Sequence, residues 1–240
     1  MTRWLLPLVA LVGAAIGAVA VVAYDRAAPS ALGAADTARV QQVVRDYVLA
    51  HPEIIPEAMQ RLQDRDTAKA IAAVRSDVVE PFGNAWSGNP KGDVTLVEYF
   101  DYNCGYCRAI LPVIKQLTQR DPRLRIVYRE MPILAETSRA AARASLLAAS
   151  QGKFGAFHDA LYAGGPVSDA TIDRAARVAG LDLGQAAAFA SRADAEIARN
   201  LKIATQLGLS GTPSWVVGDR AFAGALPIEQ IEAAIAAARK

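Results

Sequence analysis

Residues 94–107 read VTLVEYFDYNCGYC, and this stretch decides the fold. Its first seven residues are mostly β-branched or aromatic, which is typical of a buried strand. Cys104 and Cys107 follow, and apolar residues then recur at helical spacing as far as Gln119. The pattern therefore predicts that the cysteine pair lies where a helix begins, directly after a buried strand.

The residues after this helix alternate between strand and helix patterns. A second strand is predicted over 124–128 and a hairpin over 214–223, and alanine-rich residues over about 137–207 predict several packed helices between them. Pro227 opens a final helix. The order of strand, helix, strand, helical block, hairpin and helix indicates an α/β fold.

The N-terminal residues predict export. Residues 4–23 are an uninterrupted apolar run of 20, which at about 1.5 Å per residue matches a bilayer core. Arg3 precedes the run, so the positive-inside rule places the following residues outside the cytoplasm. We interpret residues 1–23 as a retained signal anchor or a cleaved signal peptide, with Ala18-Val19-Ala20 as one cleavage candidate. A buried core helix is disfavoured because the run has no polar face.

Residues 24–35 are predicted to be a tether, and residues 36–80 a helical extension. Asp36 is the predicted N-cap of a first amphipathic helix that stops before His51-Pro52, and a second apolar stripe follows from Ile54. Two such helices cannot bury their stripes alone. They either dock on the main domain, predicted over 81–240, or pack against copies of themselves.

Composition limits the function classes. A chain of 240 residues allows one full domain with an appendage, and 52% hydrophobic with 21% charged residues predicts a folded protein. Lys and Arg number 26 against 24 Asp and Glu, without a basic run, so nucleic acid is not expected as a partner. The chain has only two cysteines and two histidines, so the cysteines are expected to act as one pair.

Cys104 and Cys107 are the first candidate catalytic residues. The free N–H groups and the macrodipole of a first helical turn stabilise a thiolate at Cys104. Cys107, one turn further, can attack a mixed disulfide formed by Cys104. A structural disulfide between these cysteines would close a loop too small to contribute much to stability. A zinc site would need His51 or His158, which lie on separate predicted helices. We therefore predict a dithiol exchange site, without metal or cofactor.

Glu98 is the third candidate catalytic residue. It is a charged residue in an apolar strand, six residues before Cys104. A carboxyl group in such surroundings has a raised pKa and can accept the proton of Cys107. The alternative is a carboxylate that reaches water or a partner at the strand edge. Pro112 is expected to kink the helix, because it removes one hydrogen bond.

Residues 98–107, with Pro112 and Gly211-Thr212-Pro213, resemble the DsbA family of thioredoxin-fold thiol-disulfide oxidoreductases. The resemblance covers about residues 82–240, and it implies a thioredoxin fold with the helical block as an inserted domain. It also implies a cis Thr212-Pro213 bond beside the cysteines, in a loop whose backbone pairs with an extended substrate. The candidate substrate-binding residues are Gly211, Thr212, Pro213, Gly105 and Tyr106.

The residues between the cysteines bear on the kind of exchange. Gly105 and Tyr106 carry no positive charge. They differ in this from the Pro-His dipeptide between the cysteines of strongly oxidising members, and they resemble the dipeptide of periplasmic disulfide isomerases. The stretch from Tyr47 to Ala58 resembles the N-terminal helical extension of suppressor-of-copper-sensitivity C proteins, through which some of them oligomerise. The predicted function is therefore an isomerase or reductase of protein disulfides. The alternatives are a DsbA-like dithiol oxidase and a copper-handling thiol protein, since thiolate pairs also suit Cu(I).

The resemblance further implies where the protein works and with what. We expect it in the periplasm, tethered to the inner membrane by residues 4–23. Its expected partners are cysteine-containing exported proteins, a membrane redox partner, and further copies of itself bound through residues 36–80.

Overall fold

A computed structural model describes residues 16–23 and 33–239. Residues 16–23 are helical, whereas the rest of the predicted membrane or signal segment and most of the predicted tether lie outside the described residues. Within the described ranges, no helix is both long and apolar enough to cross a membrane. The chain divides into two compact units, Met1–Gln60 and Arg61–Lys240.

The first unit contains helix α1 (Ala34–Ala50) and the beginning of helix α2 (Ile54–Val79). Helix α1 starts after Gly33, so Asp36 is not its N-cap but lies in its first turn, where a carboxylate interacts favourably with the helix dipole. The helix ends before His51, as predicted. Its apolar side chains lie in water, with exposed fractions from 47% to 62% for Val40, Val43, Val44 and Tyr47.

The second unit is built on a five-stranded mixed sheet with strand order β1-β3-β2-β4-β5. Strands β2 and β3 pair in parallel, and the other pairs are antiparallel. Strand β1 was not predicted, because three residues carry no periodic pattern. The strands are β1 (Trp86–Gly88), β2 (Val94–Phe100), β3 (Leu124–Glu130), β4 (Ser214–Val217) and β5 (Arg220–Ala223).

Six α-helices lie wholly within the described part of the second unit. Helix α3 joins β2 to β3 and continues through Pro112 to its end, so the proline does not stop it. Four helices, α4 to α7, lie between β3 and β4, in the part of the chain where the insertion was predicted. The α/β thioredoxin-like fold is thus confirmed. The helices are α3 (Gly105–Arg120), α4 (Glu136–Ser150), α5 (Phe154–Ala163), α6 (Asp169–Ala179), α7 (Ala186–Gln206) and α8 (Ile228–Ala238).

Strand alternation sends successive side chains into two different cores. On one face, Phe100 and Tyr128 join the residues of α3 and of the inserted helices. On the other, Tyr99 and Val127 pack with Ile71 and Val78 of α2 and with residues of α7. Both α2 residues are at most 1% exposed, so the second unit includes the end of α2 and begins before the predicted residue 81.

Candidate active site

Cys104 is the N-cap residue of helix α3, at the carboxyl end of β2. Its Sγ accepts a hydrogen bond from the backbone N–H of Cys107 at 3.3 Å. Such a bond satisfies one of the N–H groups that a first helical turn leaves free. The helix start predicted from the sequence is confirmed, with Cys104 at its N-cap.

Cys107 lies one turn further and is completely buried. Burial strongly raises the pKa of its thiol, and the nearby Glu98 carboxylate raises it further, while the backbone of Asp101 acts in the opposite direction. Both cysteines are free thiols in this structure. The two sulfurs therefore differ, because Cys104 Sγ accepts one backbone hydrogen bond and borders the Thr212 carbonyl, whereas burial favours the neutral thiol at Cys107.

Glu98 lies on the face of β2 that borders the cysteine helix and is 1% exposed. Its Oε2 has no hydrogen-bond partner within the described part of the chain. Burial raises the pKa of this carboxyl to about 8, and interaction with Cys104 adds to the rise. A carboxyl group with such a pKa can both hold and release a proton near neutral pH.

The Thr212-Pro213 peptide bond is cis, and it lies beside the cysteines. The Cys104 thiol donates a hydrogen bond to the Thr212 carbonyl oxygen at 3.2 Å. Pro213 is buried, whereas Gly211 is partly exposed. Thus a loop 108 residues away in sequence borders the outer cysteine.

Gly105 and Tyr106 lie on the solvent side of the same helical turn. Tyr106 is 70% exposed. A Cβ atom added to Gly105 would meet no other atom within 4 Å. The predicted substrate-binding residues thus surround the outer cysteine from two sides, with Gly105 and Tyr106 on the helix and the 211–213 loop opposite.

Asp101 is a site residue that the sequence reasoning missed. It is 1% exposed, and its Oδ2 accepts hydrogen bonds from the backbone N–H groups of Ile133 and Leu134, both at 2.9 Å. Its Oδ1 accepts from the N–H of Asn103 and from the Ser138 hydroxyl at 2.8 and 2.7 Å. Asp101 thereby fixes the turn that leads into Cys104. Its position directly after an apolar strand was the available signal.

The structure does not bring the histidines to the cysteines as a metal site. Among the described residues, no group of three or more His, Cys, Asp or Glu side chains is placed to hold a metal ion. His158 is buried in the inserted helices, and His51 is about half exposed beside Glu53.

Two protein families match the chain. The DSBA-like thioredoxin domain matches residues 95–236, and the copper resistance protein ScsC N-terminal domain matches residues 36–69. The first match covers more than half of the chain and includes both cysteines. The second falls on α1 and the first part of α2.

Curated relatives include the Na(+)/H(+) antiporter NhaA 1 of Salinispora arenicola, which is 30% identical over 189 residues, or 74% of this chain. NhaA 3 of Salinispora tropica is 32% identical over 165 residues, or 67% of this chain. The chain spans only 29% and 25% of the length of these two proteins.

Solved structures also resemble the chain. A thioredoxin-like oxidoreductase from Silicibacter pomeroyi is 42% identical, with a TM-score of 0.65, and the match covers 69% of this chain and 97% of that one. A linker-deletion mutant of Proteus mirabilis ScsC is 26% identical, with a TM-score of 0.68 and coverage of 88% and 98%. The thiol-disulfide exchange protein α-DsbA2 from Wolbachia pipientis is 27% identical, with a TM-score of 0.66 and coverage of 73% and 97%.

The family match, the sheet order and the cysteine-bearing helix agree with one another. The domain is of the DsbA and ScsC thiol-disulfide oxidoreductase type, and the chain belongs to the DSBA-like thioredoxin domain family.

Proposed function

We propose that this protein is a thiol-disulfide oxidoreductase that isomerises or reduces disulfides of exported proteins through Cys104 and Cys107. One observation carries the proposal: an N-cap cysteine contacts the Thr212 carbonyl, while a second thiol and a carboxyl lie buried behind it. We propose that Cys104, which is 5% exposed, meets the client and that Cys107, which is 0% exposed, completes the exchange.

In the first step, the Cys104 thiolate attacks one sulfur of a client disulfide. A Cys104–client disulfide forms, the client disulfide breaks, and its other sulfur leaves as a thiolate. The first helical turn favours the attacking thiolate. The client segment lies along the 211–213 loop, whose Thr212 carbonyl borders Cys104.

In the second step, Cys107 transfers its proton to the ionised form of Glu98, which a pKa of about 8 leaves accessible near neutral pH, and attacks the Cys104 sulfur. A Cys104–Cys107 disulfide forms, and the second client sulfur leaves as a thiolate, which takes up a proton from water. The client gains two electrons, and the dithiol loses two. In isomerisation, a client thiolate attacks the mixed disulfide instead, and the dithiol is regenerated.

The residues between the cysteines support reduction or isomerisation over oxidation. A cation near the Cys104 thiolate would stabilise the reduced form and make the pair a stronger oxidant. Gly105 and Tyr106 supply no such charge. A dithiol whose reduced form is less stabilised gives up its electrons to client disulfides more readily.

The N-terminal helices support self-association in the periplasm. Helix α1 exposes an apolar stripe, and the ScsC N-terminal family matches residues 36–69. Burying such stripes against one another in an oligomer would remove apolar surface from water. We further propose that residues 4–23 tether the protein to the inner membrane and that a membrane redox partner keeps the dithiol reduced.

The experiment that tests this function combines trapping with an activity assay. With a disulfide-bonded client, Cys107→Ser is expected to accumulate a covalent complex through Cys104, whereas Cys104→Ser should form none. The wild type is expected to refold a scrambled-disulfide protein faster than it oxidises a reduced one. Trapping by Cys104→Ser instead would reverse the assigned roles, and faster oxidation than isomerisation would favour a DsbA-like oxidase.

A further inference from the structure

The inserted helix α4 begins beside the cysteines. Its residue Ser138 is 1% exposed, and its hydroxyl is hydrogen-bonded to Asp101 and Asn103. These are two of the three residues that separate strand β2 from Cys104. A helix from a later part of the chain therefore holds the segment that leads to the outer cysteine.

The Ser138 hydroxyl makes three hydrogen bonds. It donates to Asp101 Oδ1 at 2.7 Å, and it accepts from the Asn103 side-chain amide at 2.9 Å and from the backbone N–H of Ala135 at 3.2 Å. The bond to Ala135 is a capping interaction at the start of α4. The single donor and both acceptor sites of the hydroxyl are thus used, and they connect the start of the helix to the turn before Cys104.

Asn103 directly precedes Cys104 and is held by its backbone as well as by its side chain. Its backbone N–H donates to Asp101 Oδ1 at 2.8 Å, and its side-chain amide also donates to the Thr137 hydroxyl at 3.1 Å. The next N–H along the chain, that of Cys104, donates to the Asp101 carbonyl oxygen at 3.0 Å. The backbone on the N-terminal side of Cys104 is therefore fixed at two consecutive residues.

The position of Cys104 affects how readily the two cysteines react with each other. Its Sγ lies 3.3 Å from the backbone nitrogen of Cys107. Cys107 lies inside helix α3, whereas Cys104 is the N-cap residue, with extended backbone angles (φ −79°, ψ 114°). An N-cap residue is only half in the helix, so its position also depends on the segment before it. Holding two reacting groups in place raises the effective concentration of one at the other.

We propose that Ser138 and Asn103 are positioning residues that set the effective concentration of Cys104 at Cys107. With Asp101 they form the Ser138 cluster, which connects the turn before Cys104 to helix α4. The inserted helices are then a part of the active site as well as a cover for the sheet. The inference rests on the proposed function for exchange with clients, but the reaction between the two cysteines can be measured without a client.

The test measures the equilibrium of the cysteine pair with glutathione. The dithiol gives two electrons and two protons to glutathione disulfide, so that a Cys104–Cys107 disulfide and two glutathione thiols form. In Ser138→Ala and in Asn103→Ala, the equilibrium constant for this reaction is expected to fall about tenfold, because a displacement of about 1 Å can cost reacting groups about a hundredfold. A loss of overall stability alone leaves the constant unchanged while both redox forms are folded.

The same two variants should also resolve a mixed disulfide more slowly. With a disulfide-bonded peptide, stopped-flow measurements give the formation of the mixed disulfide and then its resolution by Cys107. Resolution is an intramolecular attack on the Cys104 sulfur, so we expect it to slow by about the same tenfold. Formation joins two separate molecules and should change less.

Thr171→Val is the matched control. Thr171 occupies the same position in the first turn of α6 that Ser138 occupies in α4, and its hydroxyl accepts the backbone N–H of Ser168 at 2.8 Å. In the described part of the chain, the side-chain hydrogen bonds of Thr171 lie within residues 166–171. The variant thus removes the same kind of capping bond from an inserted helix away from the cysteines. It should keep the wild-type equilibrium constant.

The double variant Asn103→Ala/Ser138→Ala tests whether the two side chains act together. Because they share a hydrogen bond, the double variant should lose less than the product of the two single losses. Losses that multiply would refute the joint positioning role. Equilibrium constants in both single variants within about twofold of that of Thr171→Val would refute it as well.

Failure of the proposed function would look different. A wild-type protein whose cysteines equilibrate with glutathione but form no mixed disulfide with the peptide would refute the proposed exchange with clients. The effect of the Ser138 cluster on the glutathione equilibrium would still decide the positioning role.

Discussion

The two faces of strands β2 and β3 bury charged side chains in opposite ways. On the cysteine face, Glu98 and Glu130 enter the core, and neither takes part in an ion pair within the described residues. On the other face, Arg129 is surrounded by partners. Its guanidinium bonds to Glu196 at 2.7 Å and to the carbonyl oxygens of Asp77, Val78 and Glu80 at the end of α2.

This difference separates a structural cluster from a chemical one. A buried charge is stable when it is paired and hydrogen-bonded, as Arg129 is. The hydrogen bonds of its guanidinium connect the end of α2 to strand β3. A buried carboxyl without a cation has a raised pKa, which costs stability at neutral pH but leaves both its protonated and its ionised form accessible there. We infer that the Arg129 face holds the fold together and that the Glu98 face supports the reaction.

The largest expected effect concerns Glu98. The pKa of this carboxyl is 4.5 in an unfolded chain and about 8 in the folded protein. Between these pH values the folded state binds more protons than the unfolded state, so the free energy of unfolding falls as pH rises. Each pH unit costs about 1.4 kcal/mol, or about 5 kcal/mol over the whole interval. Glu98→Gln should therefore be more stable than the wild type at pH 8, by up to that amount.

The measurement is urea unfolding of both proteins at pH 4.5, 6 and 8. The advantage of Glu98→Gln should grow steadily with pH and nearly vanish at the lowest value. A constant difference across the range would mean that Glu98 is ionised in the folded protein, and the contrast between the two faces would be lost. The same variant is expected to slow resolution of the mixed disulfide, since the amide cannot accept a proton.

The second effect tests the opposite face. Arg129→Met leaves Glu196 buried without its main partner and removes donors from the end of α2, so we expect a loss of about 3–5 kcal/mol in unfolding free energy. Cysteine exchange should be unaffected once the protein is folded. Chemical denaturation and a peptide-exchange assay measure these two quantities.

Arg199→Met is the control for this pair. Arg199 also contacts Glu196, with 3.6 Å between Nη1 and Oε2, but its side chain is 47% exposed. An exposed pair contributes little, about 0–1 kcal/mol. The double variant Arg129→Met/Glu196→Leu should recover part of the loss, because it removes the unpaired charge. Equal losses from Arg129→Met and Arg199→Met would show that burial does not distinguish them.

The sequence predicted the cysteine face better than the other one, for a physical reason. Cys104 and Cys107 follow a strand and open a helix, so their placement depends on local signals only. Glu98 is the one charged residue of an apolar strand, which made it a candidate. Strands β2 and β3, the helical block that follows them and the final hairpin were predicted from periodicity and turn residues.

The hydrogen bonds of Tyr102 and of Arg129 depend on contacts between residues that lie far apart in sequence. Strand β3 carries Arg129 and Glu130 side by side, and alternation sends them to opposite faces. Their partners, Glu196 and Ser145, lie 67 and 15 residues away on inserted helices. A lone histidine in an alanine-rich helix gave no signal either, since nothing near His158 in sequence reveals Tyr102 as its partner.

The smallest effect concerns His158, and it runs in the opposite direction with pH. The unfolded chain protonates this imidazole below pH 6.5, whereas the folded protein keeps it neutral down to about 3, so stability is lost as pH falls between these values. At pH 5 the loss amounts to about 2 kcal/mol. In the Glu98→Gln background, which removes the opposing contribution of Glu98, His158→Gln should lose less stability between pH 7 and pH 5 than the same background with His158, by about this amount. If unfolding free energies show the same loss with and without His158, the imidazole is charged or hydrated in the folded protein. The cysteine face would then not exclude water from its ionisable groups, and the contrast with the paired Arg129 on the other face would be lost.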